Sequence, residues 1–200
     1  MPASVVSICR RALIILGAGT ITSLDDPNER ARVLNSSYEP VRDAEQRRRR
    51  WRFCIKRDSL PALGAAPESE YARKFQLPND YLRLIEGGDI YSLADLSDYP
   101  GGRPLYSIEG RELLTDLPAP LNIRYLRRVT DVSFFDAAFC EALSARLAME
   151  ISERLTESAG KYKQAQEHYA IAIKEAVQAN ALERSSEPIA ADTWLTSRLG

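Results

Sequence analysis

The sequence predicts an α+β fold: a four-helix bundle built from N- and C-terminal helix pairs, with a small β-sheet domain inserted between them. Three observations carry this expectation. Apolar residues recur at three- and four-residue steps near both ends of the 200-residue chain. The middle is punctuated by proline and glycine, with short aromatic and branched runs between them. Helix-capping patterns stand where the character changes. The expected division is an N-terminal helix pair over 1–50, a β-rich insertion over 51–132, a C-terminal helix pair over 133–184 that completes the bundle, and an extended tail over 185–200.

The first helix is expected over residues 3–16, where Val5, Cys9, Ala12, Leu13 and Leu16 share one face. Gly17 is placed to end it, because a left-handed residue is easiest without a side chain. The second helix has a start signal in Asp26 as cap, Pro27 in the first helical position and Glu29 completing a capping box. Ala31, Leu34, Tyr38, Val41 and Ala44 carry it to about Arg50, with a kink expected at Pro40.

Candidate strands in the insertion are 53–59, 81–86, 105–109, 112–115 and 122–129, with turns at 87–89 and 100–102. Helix returns at Ser133, with Asp136 three residues on as a capping box, and Phe139, Leu143, Leu147, Ile151 and Leu155 form its stripe. A break at 158–160 precedes a fourth helix over 162–182, whose face carries Tyr162, Ala165, Tyr169, Ala172, Ile173 and Ala176. Small alanines there allow close helix approach.

Composition removes several classes of function. Hydrophobic residues at 44% and charged residues at 28% are a globular balance, and a net charge of -1 gives no global pull toward nucleic acid or membrane. The longest apolar run, 12–19, is far short of the ~20 residues a bilayer needs. It also lacks the pattern of a secretory signal, so a soluble chain made in a cytoplasm is expected. Cys9, Cys54 and Cys140 form no metal-binding spacing and are expected as buried free thiols. No phosphate-binding loop or nucleophile elbow is present, and no catalytic, cofactor or metal site is expected. The single histidine, His168, reads as a surface residue. Glu109, Glu112 and Glu141 are the acids a cell-wall-cleaving enzyme would have to use.

The most informative local feature is basic. Arg42, Arg47, Arg48, Arg49, Arg50, Arg52, Lys56 and Arg57 stand against only Asp43 and Glu45. On a helix, four successive arginines at ~100° steps cannot share one solvent face. Three readings stay open: a solvated helix end, an interface with an acidic partner, or contact with DNA phosphates. The contact residues expected are Arg47, Arg48, Arg49, Arg50 and Trp51, together with Ile189, Trp194 and Leu195 in the tail as a clip onto another chain.

Five motifs occur in order along the chain. Leu16-Gly17 is followed by Ile21-Thr22-Ser23-Leu24-Asp25-Asp26; then come Tyr38-Glu39-Pro40-Val41-Arg42-Asp43, Trp51-Arg52-Phe53-Cys54, Phe75-Gln76-Leu77-Pro78-Asn79-Asp80-Tyr81-Leu82-Arg83, and Phe139-Cys140-Glu141-Ala142-Leu143 with Leu147-Ala148. The ordered set resembles tail tubular protein A, the head-to-tail adaptor family of short-tailed bacteriophages (podoviruses). This chain departs from it in having Arg50 where the family often has proline, and in a heavier arginine run. The resemblance implies a non-enzymatic virion protein of the tail neck, a homo-oligomeric ring of twelve subunits. It would bind the portal protein on one side and the distal tail tube or nozzle on the other. Genome DNA would cross its channel during ejection without sequence-specific binding. The rival expectations are a nucleic-acid-binding module centred on the basic segment and a cell-wall-degrading tail enzyme.

Overall fold

The structure, a computed structural model, describes residues 4–64, 67–85 and 104–182. The expected turns at 87–89 and 100–102 and the whole tail, with Ile189, Trp194 and Leu195, lie outside them.

Helix α1 spans Val5–Leu16. Its start is a capping box: the Ser7 amide donates to Ser4 Oγ at 3.1 Å and the Ser4 amide donates to Ser7 Oγ at 2.8 Å. Gly17, at φ 66°, ends it as expected, with its own amide on the Ile14 carbonyl and that of Ala18 on the Leu13 carbonyl.

Helix α2 spans Glu29–Arg48, two residues late at its start. Asp26 does not cap it. That carboxylate instead accepts from the Thr22 and Ser23 amides at 2.8 and 3.1 Å and closes the preceding loop. Asn28 takes over as cap, accepting from the Ala31 amide at 2.9 Å. The helix runs unbroken through Pro40 and stops before Arg49, whose backbone is already extended.

A short 3-10 turn, Arg52–Cys54, leads into the β region. The strands are β1 (Ile55–Leu60), β2 (Arg73–Gln76), β3 (Tyr81–Leu84), β4 (Tyr106–Glu109), β5 (Glu112–Thr115) and β6 (Leu121–Arg127). They form two antiparallel three-stranded sheets, ordered β1-β6-β3 and β2-β5-β4. Strand β2 was not anticipated, because in Arg73-Lys74-Phe75-Gln76 only Phe75 is buried and no alternation is visible. Leu60, Phe75, Leu113, Leu121, Ile123 and Tyr125 build a core between the sheets.

The first sheet has its other face on the helices. The pairing of β3 with β6 slips by one residue between Tyr81 and Arg83, leaving Leu82 as the extra residue of a bulge. Tyr81 then faces the β core with Tyr125, whereas Leu82 joins the helical core with Leu126. Arg83 lies opposite Leu126 and so projects from the same, helix-facing side.

Helix α3 spans Ala137–Thr156 and α4 spans Ala159–Leu182. Ser133 does not open α3. It sits in a 3-10 turn capped by Asp131, and Asp136 itself is the α3 cap, accepting from the Ala138 amide at 2.8 Å. The break after α3 is only two residues, made by Glu157 in the left-handed region at φ 48° and by Ser158. Ala159 and Gly160 are already in the first turn of α4.

Helix α3 is the hub, packed against α1, α2 and α4. Its stripe of Phe139, Leu143, Leu147 and Ile151 meets Leu13 and Leu16 of α1, Leu34 and Tyr38 of α2, and Ala165, Ala172, Ile173 and Ala176 of α4 in one continuous core. That is the four-helix bundle with an inserted β region that the sequence predicts.

Candidate anion-binding cleft

The expected basic contact region divides once folded, because the backbone leaves the helix after Arg48. The Arg47 guanidinium donates to the carbonyl of Leu82 and so latches α2 to the β-bulge. Trp51 turns inward and is 1% exposed. It therefore offers no surface to a partner, which corrects its assignment as a contact. Its ring packs edge-on to Phe139 with centroids 4.9 Å apart. Its Nε1–H donates to the Glu45 carbonyl at 2.9 Å, one of the last-turn acceptors that a helix end leaves without an intrahelical partner.

Beneath this corner the polar groups are matched. Both carboxylate oxygens of buried Glu45 lie 3.0 Å from the Tyr169 hydroxyl, which donates to them. Burial, more than the adjacent carboxylate, raises the Tyr169 pKa and keeps that hydroxyl a donor. The Gln46 side-chain amide clamps Val129, donating to its carbonyl at 2.8 Å and accepting from its amide at 3.0 Å. Asn180 of α4 closes the far side: it accepts from the Arg52 amide and donates to the Arg50 carbonyl, each at 3.0 Å.

These fixed points frame a cleft of about 590 Å³. The segment after α2 supplies Arg48, Arg49, Arg50 and Arg52, and the helix-facing side of the first sheet supplies Arg83 and Arg124. The last turns of α4 form the opposite wall with Val177, Asn180 and Ala181, and Ile55 and Ile85 line the strand side. Among the described residues no aspartate or glutamate lines it. Arg48 lies 3.8 Å from the Glu45 carboxylate and its side chain is 57% exposed. The Nε atoms of Arg49 and Arg83 are buried with no hydrogen-bond partner among the described residues. The C-terminal ends of α2 and α4 both lie here, and their partial negative charge offsets part of the arginine repulsion. An arrangement of this kind can hold a multivalent anion through paired N–H donors.

Other candidate chemistry is tied into the scaffold. Glu141 is held by Arg11 at 2.7 Å on the surface. Glu109 and Glu112 face each other across the β4–β5 hairpin, with Lys74 3.7 Å from Glu112. Burial pushes the Cys9 and Cys54 thiols up to about 12 and that of Cys140 to about 11, far from nucleophilic values. His168 is exposed. Among the described residues no group of three His, Cys, Asp or Glu could hold a metal ion, and no helix is long and apolar enough to cross a membrane. A second hollow of about 550 Å³ at the α3–α4 corner is lined by Glu153, Glu157, Ser158, Ala159 and Tyr162, with no cationic side chain among these described residues.

The sequence identifies the arginines that are neighbours in the chain. Arg83, Arg124, Val177 and Asn180 join them only through the sheet pairing and the return of α4, and no local signal marks them. Compared with known proteins, the chain matches no family model and no curated protein.

Proposed function

We propose that this chain is a non-enzymatic, ring-forming adaptor that joins the portal of a short-tailed bacteriophage to its distal tail tube or nozzle and surrounds the DNA ejection channel. The observation that carries the reading is the arginine cleft: Arg48, Arg49 and Arg83 converge on one concavity with three further arginines, and among the described residues no acid lines it, a surface suited to an anionic partner. The ordered resemblance described above supplies the identity of that partner, an acidic face of the portal or of the next subunit. The helix-bundle scaffold with a latched β region fits a part that must present two different surfaces, because every subunit of a homomeric ring uses a heterologous interface.

The test is electron-microscopic imaging and native mass measurement of the purified protein with and without its portal ring. A closed ring forming on the portal is the expected result. A protein that ignores the portal and stays monomeric would overturn the reading. Arg48, Arg49 and Arg50 changed together to serine should abolish co-elution with the portal, while Arg47 is left in place because it holds Leu82.

A further inference from the structure

We propose that the arginine cleft is a docking groove for an extended segment of another polypeptide in which acidic residues alternate with apolar ones. The proposal deepens the adaptor reading, which it needs only to say whose segment it is. Charge alone would admit either carboxylates or phosphates, and four features of the cleft decide between them.

The first is its apolar content. Ile55 and Val177, 37% and 40% exposed, are large hydrophobic side chains left open to solvent, and both line this one cleft. A phosphodiester or polyphosphate chain has nothing to bury against them, whereas a Val or Leu on a peptide does. The second is the lack of an aromatic stacking surface. Among the described residues Trp51 is the one aromatic lining the cleft, and it is 1% exposed, so unpaired bases find no aromatic platform.

The third is size. About 590 Å³ lies within the range of ligand-sized clefts and holds a few side chains rather than a run of nucleotides. The fourth is the neighbouring backbone. Among the described residues β1 is an edge strand of its sheet, and its first residue, Ile55, forms one lip of the cleft. An extended peptide can use such an edge for main-chain hydrogen bonds, with successive side chains directed to opposite walls of the groove. Its carboxylates would then meet Arg48 and Arg49 on the α2 side, and its apolar side chains Val177 on the α4 wall.

Fluorescence polarisation with labelled octapeptides tests this, using alternating Glu-Val, all-Glu and alternating Lys-Val sequences, with oligothymidylate and inorganic tripolyphosphate as competitors. The Glu-Val peptide is expected to bind at least tenfold more tightly than all-Glu, with Lys-Val not binding. Arg48→Ser and Val177→Asp, both at exposed positions, should each weaken it about fivefold or more without changing the thermal melt. Tripolyphosphate or oligothymidylate binding as tightly as the peptide would overturn the proposal in favour of phosphate. Equal binding of Glu-Val and all-Glu, or no binding at all, would also overturn it. Self-association of the chain that Val177→Asp abolishes would assign the groove to a second copy instead. Peptide binding by a protein that ignores the portal would leave the groove standing and remove the adaptor reading. Ring formation on the portal without any peptide binding would do the reverse.

Discussion

Replacing Trp51 separates a core residue from a contact residue. The indole is 1% exposed and packs on Phe139 at 4.9 Å, and its Nε1–H caps the Glu45 carbonyl at 2.9 Å. Burying a ring of this size removes roughly 200 Å² from water, worth about 5 kcal/mol at 25 cal/mol per Å². Measured truncations of buried Trp to alanine cost about 3–5 kcal/mol, and an unpaired carbonyl adds about 1 kcal/mol. Trp51→Ala should therefore lose about 5 kcal/mol. For a chain of this length each kcal/mol lowers Tm by roughly 2–4 °C, so the melt should fall by about 10–20 °C. Trp51→Phe keeps most of the ring contact and should lose about 2 kcal/mol. Circular dichroism melts, with urea midpoints at unchanged slope, read both values. A Trp51→Ala protein that melts within about 4 °C of the parent yet fails to attach to its partner would refute the core assignment and restore Trp51 as a contact.

Gln46→Leu strands the Val129 amide and carbonyl in the interior, which should cost about 2–5 kcal/mol and abolish protection of the Val129 amide in hydrogen exchange. Gly17→Ala and Glu157→Gly should act with opposite signs. The first forces a side chain into φ 66° at a cost of about 1 kcal/mol, and the second relieves φ 48° for a net gain of about 0.5 kcal/mol, both visible in thermal melts. The amide of Thr22, and then its hydroxyl, hold the Asp26 carboxyl below its usual range. Its folded pKa is below its unfolded one, so its contribution is complete above about pH 4 and is lost as pH falls through the folded value. Asp26→Asn should flatten the dependence of Tm on pH below about 4. An unchanged slope would remove Asp26 as its source.

What the sequence could disclose followed from how locally each decision is made. The end of α1 at Gly17 and the stripe on α3 depend on nearest neighbours and periodicity, and both are legible. The start of α2 is not, because Asp26 and Asn28 are equally good caps until Thr22 and Ser23 claim the first. The bulge at Leu82 leaves no trace in the residue pattern, yet it sets the side on which Arg83 projects. The basic run shows itself as charge. Its partition into a latch, a buried tryptophan and a cleft wall needs β3, β6 and α4, which arrive 30 to 130 residues later in the chain.

The hub position of α3 has a consequence for synthesis. The apolar faces of α1 and α2 find their common partner only in residues 137–156, after the entire β insertion has been made. At roughly 5–20 residues per second, the ribosome leaves these two helices without their cover for on the order of ten seconds. Throughout that interval the nascent chain carries Leu13, Leu16 and Leu34 unshielded, a binding site for chaperones and for its own copies on the same message. Moving the α3 segment ahead of the β insertion by circular permutation would shorten the exposure.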